Sequence, residues 1–435
     1  FSLLWILLLS IIFYLLLSPI FLIYLIISII LNYQFGNLIS KNFIKNKKYS
    51  KKILIFSILL NILYLGFFKY YNFFSDVLND ISLINLPYLK ILLPLGISFY
   101  TLQQIMYLVQ CYNENLDKKI VKNFQIYFLH IIFFPKIIAG PILSYEEFAP
   151  QFKKKNIKIN YTNLYKGFFL FTIGLFKKVI IADNLAYWND NGFLNYQNLN
   201  FFESWILCFS YVFQLYFDIS GYADMAIGAA LLFNIRLPLN FNSPYKSLNI
   251  QEFWRRWHMT LSRLLKDYVY IPLGGNRCSN FRIYINLIIT FIIGGIWHGA
   301  GWTFIVWGTL HGVAIVLNRI WQKLNINIGK IAAWFITFNF INITWIFFRA
   351  KEWNDAIKVL FGMFSVSTDI GSINLISVLF IVLAIIVTIF FKNTNELEKK
   401  IKIGFVASLG VSFVLFISIT VLLIRRSSEF LYFQF

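Results

Sequence analysis

The sequence predicts an all-α integral membrane protein: a polytopic bundle of about 10–12 spanning helices, with re-entrant segments and interfacial amphipathic helices around a central tunnel. Three observations carry that expectation. Of 435 residues, 59% are hydrophobic, 20% aromatic and only 13% charged, which is more apolar surface than a water-soluble fold can hide. Apolar runs recur from end to end, at 1–31, 53–68, 91–109, 163–182, 201–217, 283–297, 301–321, 331–348, 372–391 and 403–424. Many are long enough to cross a hydrocarbon core about 30 Å thick. The basic residues sit in short segments between these runs, so the net charge of +20 follows the positive-inside rule and does not mark a nucleic-acid binder.

The elements follow in chain order. The run 1–31 has no preceding basic segment and no small-residue cleavage site, which predicts a retained, broken helix and not a signal peptide. Lysines at 41–52, 153–158 and 392–402 mark three cytoplasmic loops. No Pro/Gly/Ser linker divides the chain, so 1–435 is expected to form a single membrane domain. Cys111, Cys208 and Cys278 are scattered and odd in number, which indicates neither a disulfide framework nor a metal site.

From Pro94 to Gly312 the apolar runs are interrupted by Gly, Pro, Asp, His and paired aromatics, the pattern expected where helices enclose a polar cavity. Segment 249–267 predicts one basic amphipathic helix in the interface plane. Asn249 and Glu252 make a capping pair, and Trp254, Trp257 and Leu261 share one arc opposite Arg255, Arg256 and Arg263. His258 lies at the edge of the apolar arc and points inward. The run 283–297 enters from a loop carrying Arg277 and Arg282 and ends at Gly294-Gly295-Ile296-Trp297-His298-Gly299. At about 1.5 Å per residue His298 lies roughly 24 Å from that loop, deep in the bilayer.

Three of the four histidines, His258, His298 and His311, fall in this middle region. An ionisable group within a membrane is a functional candidate because its desolvation must be compensated. His311 has a simpler reading as a helix-to-helix hydrogen bond, and His130 reads as structural. A histidine base suits O-acyl transfer, in which a hydroxyl loses its proton as it attacks a thioester. The sequence contains no GxSxG elbow, phosphate-binding loop, dinucleotide fingerprint or metal-ligand spacing, which disfavours an ATP-driven pump, a redox enzyme and a metallohydrolase. Asp218 and Asp224 have two readings: a buried pair or cap shaping a broken helix, or the lining of a polar tunnel. The closing FLYFQF, with Tyr432, reads on composition as an aromatic membrane anchor.

Five blocks go further: LPLGISFYTLQQIMY (93–107), FFPKIIAGPI (133–142), FDISGYADMAIG (217–228), FNSPYKSLNIQEFWRRWHMTLSRLLKDYVYIPLGGNR (241–277) and GGIWHGAGWTFIVWGTLHG (294–312). Together they resemble the bacterial membrane-bound O-acyltransferases that acetylate alginate or peptidoglycan. The resemblance makes 94–349 the catalytic core and 403–435 a C-terminal helix with an extracytoplasmic aromatic tail. It implies that His298, in the WHG block, is the catalytic histidine and His258, in RRWH, a second active-site position. It also implies that Tyr432 accepts the acyl group. Relatives that move D-alanine onto teichoic acid keep this tyrosine motif on a separate small protein; here it is fused, which favours acetyl transfer.

The resemblance further implies a multi-pass enzyme of the bacterial cytoplasmic (inner) membrane with no tightly bound cofactor. Its donor would be acetyl-CoA or another acyl thioester, and its partner a separate extracytoplasmic glycan O-acetyltransferase. Trp254, Trp257 and Trp297, with Asp218, Asp224 and His311, would line the substrate tunnel, and peptidoglycan is favoured over alginate. Two rival classes are a flippase for a lipid-linked sugar, against which the missing inverted repeat counts, and a scaffold for an extracellular transferase.

Overall fold

The computed structural model describes residues 2–81, 85–113, 123–152, 159–194, 199–366, 373–424, 428 and 430–431. The lysine segment 153–158 and Tyr432 lie outside the described residues. The chain divides into two units, 1–161 with 233–238, and 162–232 with 239–435.

In the first unit, α1 (Ser2–Leu17) and α2 (Pro19–Lys45) split the opening apolar run at Ser18, where Pro19 takes the first helical position and needs no hydrogen bond to its nitrogen. Asn46 ends α2 and caps α3 (Lys47–Asp80) by accepting from the Tyr49 N–H at 2.9 Å. α4 (Ile97–Tyr112), α5 (Phe124–Ile132) and α6 (Tyr145–Phe148) complete the unit. Within its largely apolar core one polar cluster joins three helices: Asn32 of α2 and Asn61 of α3 exchange amide bonds of 2.7 and 3.2 Å, and Ser28 and Asn32 donate to Gln104 of α4. Apolar surface gains little by meeting apolar surface in lipid, so such bonds fix which helices pair. His130 is fully buried against the rings of Tyr145 and Phe148.

The second unit opens with α7 (Tyr161–Phe176), a π-helical turn (Lys177–Ala182) and α8 (Asp183–Leu194). α9 (Phe201–Leu232) runs unbroken for 32 residues through Asp218 and Asp224, so the break expected there is absent. The predicted helix 249–267 is two short helices, α10 (Ile250–Arg256) and α11 (Met259–Leu265), interrupted at Trp257 and His258. The physical reason is a left-handed backbone at His258 that a continuous helix cannot hold, fixed by neighbouring loops. Asn249 does cap α10, accepting from the Glu252 N–H at 2.8 Å, while the Glu252 carboxylate accepts from the Leu248 N–H at 2.9 Å. α12 (Asn280–His298), α13 (Trp302–Lys323), α14 (Lys330–Arg349), α15 (Trp353–Met363), α16 (Leu375–Phe390), α17 (Thr394–Lys400) and α18 (Phe405–Ile424) follow.

Among the described residues six helices, α2, α3, α12, α13, α14 and α18, are long and apolar enough to cross a membrane, or seven if α16 and α17, bent by 54°, count as one span. This is a multi-pass membrane protein. Outside this count fall α1 and α4, which are short, α7, which gives way to a turn with two lysines, and α9, which carries buried Gln214, Asp218 and Asp224. α18 buries Ser418 and exposes Phe405, Leu409, Phe413, Phe416 and Leu423, the face of a helix solvated by lipid.

Candidate functional site

α12 and α13 form a hairpin closed by Gly299, Ala300 and Gly301. A Cβ on Gly295 would run into the backbone carbonyl oxygen of Phe304, and one on Gly308 into that of Phe291, so the two helices cross in backbone contact. That approach sets the His298 ring, at the end of α12, 5.2 Å from the Trp307 ring of α13. His298 is also walled by Trp297 at 4.9 Å and Phe348 of α14 at 5.0 Å.

His258 reaches the same place from the other side by a break in the chain. Its φ of 41° and ψ of 52° place a bulky residue in the left-handed region. There a non-glycine residue costs about 1–2 kcal/mol. The surroundings hold it: Asn240 accepts from the Met259 N–H at 2.9 Å through its carbonyl and from the Thr260 hydroxyl at 2.8 Å through its side chain. On the other side of the break the Asn242 N–H donates to the Arg256 carbonyl at 2.9 Å. The turn takes the imidazole out of the helical arc and sets it 6.4 Å from His298 and 6.2 Å from Trp297, ring centre to ring centre. Both histidines are buried, at 1% and 6% exposure.

His311 lies three turns along α13, fully buried, and accepts the Trp254 Nε1–H on Nδ1 at 3.2 Å. That bond ties α10 to α13 and leaves the neutral ring's proton on Nε2. Trp307 stands between the histidines, 4.8 Å from His311, and stacks on Trp345 at 5.5 Å. Trp257 packs on Trp345 at 5.1 Å and on Phe253 at 5.5 Å. Aromatic rings thus enclose two imidazoles in a site from which bulk water is excluded, where a proton acceptor and a polarising group can act on one small acyl group.

Asp218 and Asp224 stand elsewhere on α9, each held by a lysine of the π-helical turn: Lys178 to Asp218 at 2.7 Å and Lys177 to Asp224 at 2.6 Å. They form ion pairs at a helix junction, with Asp218 only 2% exposed. The sequence reasoning passed over Trp307, Trp345, Phe348, Asn240, Lys177 and Lys178. Trp307 sits one turn before His311, and two lysines inside an apolar run are the same signal that singled out the aspartates. Asn240 carried none, because its role depends on a backbone conformation at a residue 18 positions away.

The membrane-bound O-acyltransferase family matches residues 122–351. The peptidoglycan O-acetyltransferase of Helicobacter pylori is 42% identical to this chain, covering 99% of it and 91% of the relative. The chain belongs to the membrane-bound O-acyltransferase family. A probable alginate O-acetylase of Pseudomonas aeruginosa is 39% identical over 83% of the chain and 71% of that protein. The teichoic acid D-alanyltransferase of Bacillus subtilis is 28% identical over 60% and 69%. The site above falls inside the matched region, so as an O-acyltransferase the chain presents its two buried imidazoles, His258 and His298, within the family's own span.

Proposed function

We propose that this O-acyltransferase passes an acetyl group from a cytoplasmic thioester, acetyl-CoA, through a bacterial inner membrane to Tyr432, from which a separate extracytoplasmic transferase places it on peptidoglycan. The buried pair of His298 and His258, 6.4 Å apart within an aromatic wall, carries this reading. His298 takes the proton of the Tyr432 hydroxyl as its oxygen attacks the thioester carbonyl carbon. The C–O bond forms, the C–S bond breaks, and the thiolate leaves with the proton that His298 returns. His258 polarises or orients the carbonyl. Because a free phenol has a pKa of about 10, attack at neutral pH needs such a base.

A cleft of about 410 Å³ lined by Gln251, Asn276, Arg319 and Lys323 supports the donor side of the reading. Arg319 lies about 12 Å along α13 from His311, and its guanidinium and the Lys323 ammonium suit an anionic carrier. The fused tyrosine tail favours acetyl over D-alanyl transfer, and the coverage by the Helicobacter pylori relative of 99% of the chain, against 83% for the alginate one, favours peptidoglycan.

The test is Tyr432→Phe, which keeps the ring and removes one oxygen. Alkali-labile acetate on isolated peptidoglycan should fall to the level of a His298→Ala strain. Wild-type acetate in the Tyr432→Phe strain would return the tail to a membrane anchor.

A further inference from the structure

Beside the π-helical turn lies a second polar cluster that acyl transfer itself does not use. Among the described residues the charges there do not balance. Lys177 and Asp224 pair one to one, but Lys178 faces two carboxylates, Asp218 at 2.7 Å and Asp183 at 2.9 Å, with side-chain exposures of 5%, 2% and 13%. One ammonium against two carboxylates in a poorly solvated interior calls for further donors to meet the second carboxylate.

The C-terminal tail supplies those donors. The Ser428 hydroxyl accepts from Lys178 at 3.0 Å and donates to Asp183 at 2.6 Å. The backbone N–H of Leu431 donates to the free oxygen of Asp218 at 3.0 Å. The Phe430 ring lies under the Lys178 ammonium at 4.6 Å and edge-on to Tyr222 of α9 at 5.1 Å. The Leu431 side chain is 2% exposed and belongs to the same buried cluster as Trp254, Trp257 and Trp307.

The local chain is built for this. Gly174 of α7 and Gly221 of α9 have no room for a Cβ, which would meet the opposite backbone at 2.5 and 2.8 Å, so the helices approach closely just before the two lysines. The π-helical turn then carries adjacent lysines to carboxylates six residues apart on α9.

We infer that Lys178, Asp218 and Asp183 form a dock for the chain's own C-terminal tail, and that they are positioning residues: they fix the backbone one residue before Tyr432 and so set where its hydroxyl is delivered. The positioning role rests on Tyr432 being the acyl acceptor, whereas the dock does not. An amide held by a buried carboxylate exchanges slowly, and anchoring the chain just before a nucleophile lowers the entropy lost on reaching the reaction geometry.

The full-length protein in detergent is followed by hydrogen–deuterium exchange of its C-terminal peptide, together with transfer of labelled acetyl from acetyl-CoA onto Tyr432. Lys178→Met and Asp218→Ala should each speed exchange of the 428–435 peptide by about tenfold or more while α12 and α13 peptides are unchanged. They should lower the kcat of labelling with the KM for acetyl-CoA unchanged, and Lys178→Arg should restore most of both. Ser428→Ala breaks the dock from the tail's side and covers the case in which a lone buried charge unfolds the helix variants. Unchanged tail exchange in all of these variants overturns the dock. Faster exchange with undiminished labelling overturns the positioning role. A wild-type protein that never labels Tyr432, with a tail whose exchange still depends on Lys178, leaves the dock standing and removes the acceptor assignment.

Discussion

His258 occupies a conformation that glycine holds without strain, and a histidine remains there because Asn240 and Asn242 bind the chain on both sides of the break. His258→Gly should therefore melt about 1 kcal/mol more stably than His258→Ala, while acyl transfer is severely impaired in both. Equal thermal midpoints for the two would mean that the left-handed turn is unstrained. Asn240→Ala removes the acceptor of the Thr260 hydroxyl and should cost about 1–2 kcal/mol of stability. It should also lower turnover at a normal KM for the donor, because His258 loses its register. A fall in stability with unaltered turnover would separate the two effects and leave the strap with no part in catalysis.

At the level of elements, the α12–α13 hairpin decides whether His298 meets its aromatic wall. Gly295→Ala places a methyl group against the Phe304 carbonyl, which belongs to backbone and cannot swing aside. The helices must separate, at a cost of about 1–3 kcal/mol. The thermal midpoint should fall, as read by the loss of the monodisperse peak after heating. The hairpin was legible from apolar periodicity and its glycine-rich turn. So were the buried positions of His258 and His298, and so was the Asn249 cap, because each rests on neighbours within a few residues. The break at His258 was not. Segment 249–267 has a continuous apolar arc, and only loop residues 240–242, distant in sequence, turn it into two helices. Likewise the pairing of Lys178 with Asp218 spans 40 residues, and local pattern does not reveal which buried charges meet.

At the level of the molecule, composition alone identified a polytopic helical membrane protein, but not which apolar runs become long, uniformly apolar helices. A run shows that a segment is apolar, not that it faces lipid, and α9 is largely enclosed by protein. Lysines 41–52 surround the Asn46 junction between α2 and α3, so the positive-inside rule predicts that this junction faces the cytoplasm. Lys48→Cys should react with an impermeant thiol reagent only in opened cells, and Ser427→Cys in intact spheroplasts. The reverse pattern would put the tail on the donor's side and remove the need for transfer through the membrane.

The central claim is that His298 drives acetyl transfer from a thioester to Tyr432 within this one chain. The most direct measurement incubates the purified protein with acetyl-CoA carrying a labelled acetyl group, with no glycan and no partner, and reads both free CoA and label on the C-terminal peptide. Wild type should release CoA and carry label at Tyr432, whereas Tyr432→Phe should carry none and His298→Ala, equally folded, should label more slowly by about 10²-fold or more. Label on the tail of His298→Ala at the wild-type rate would contradict the account.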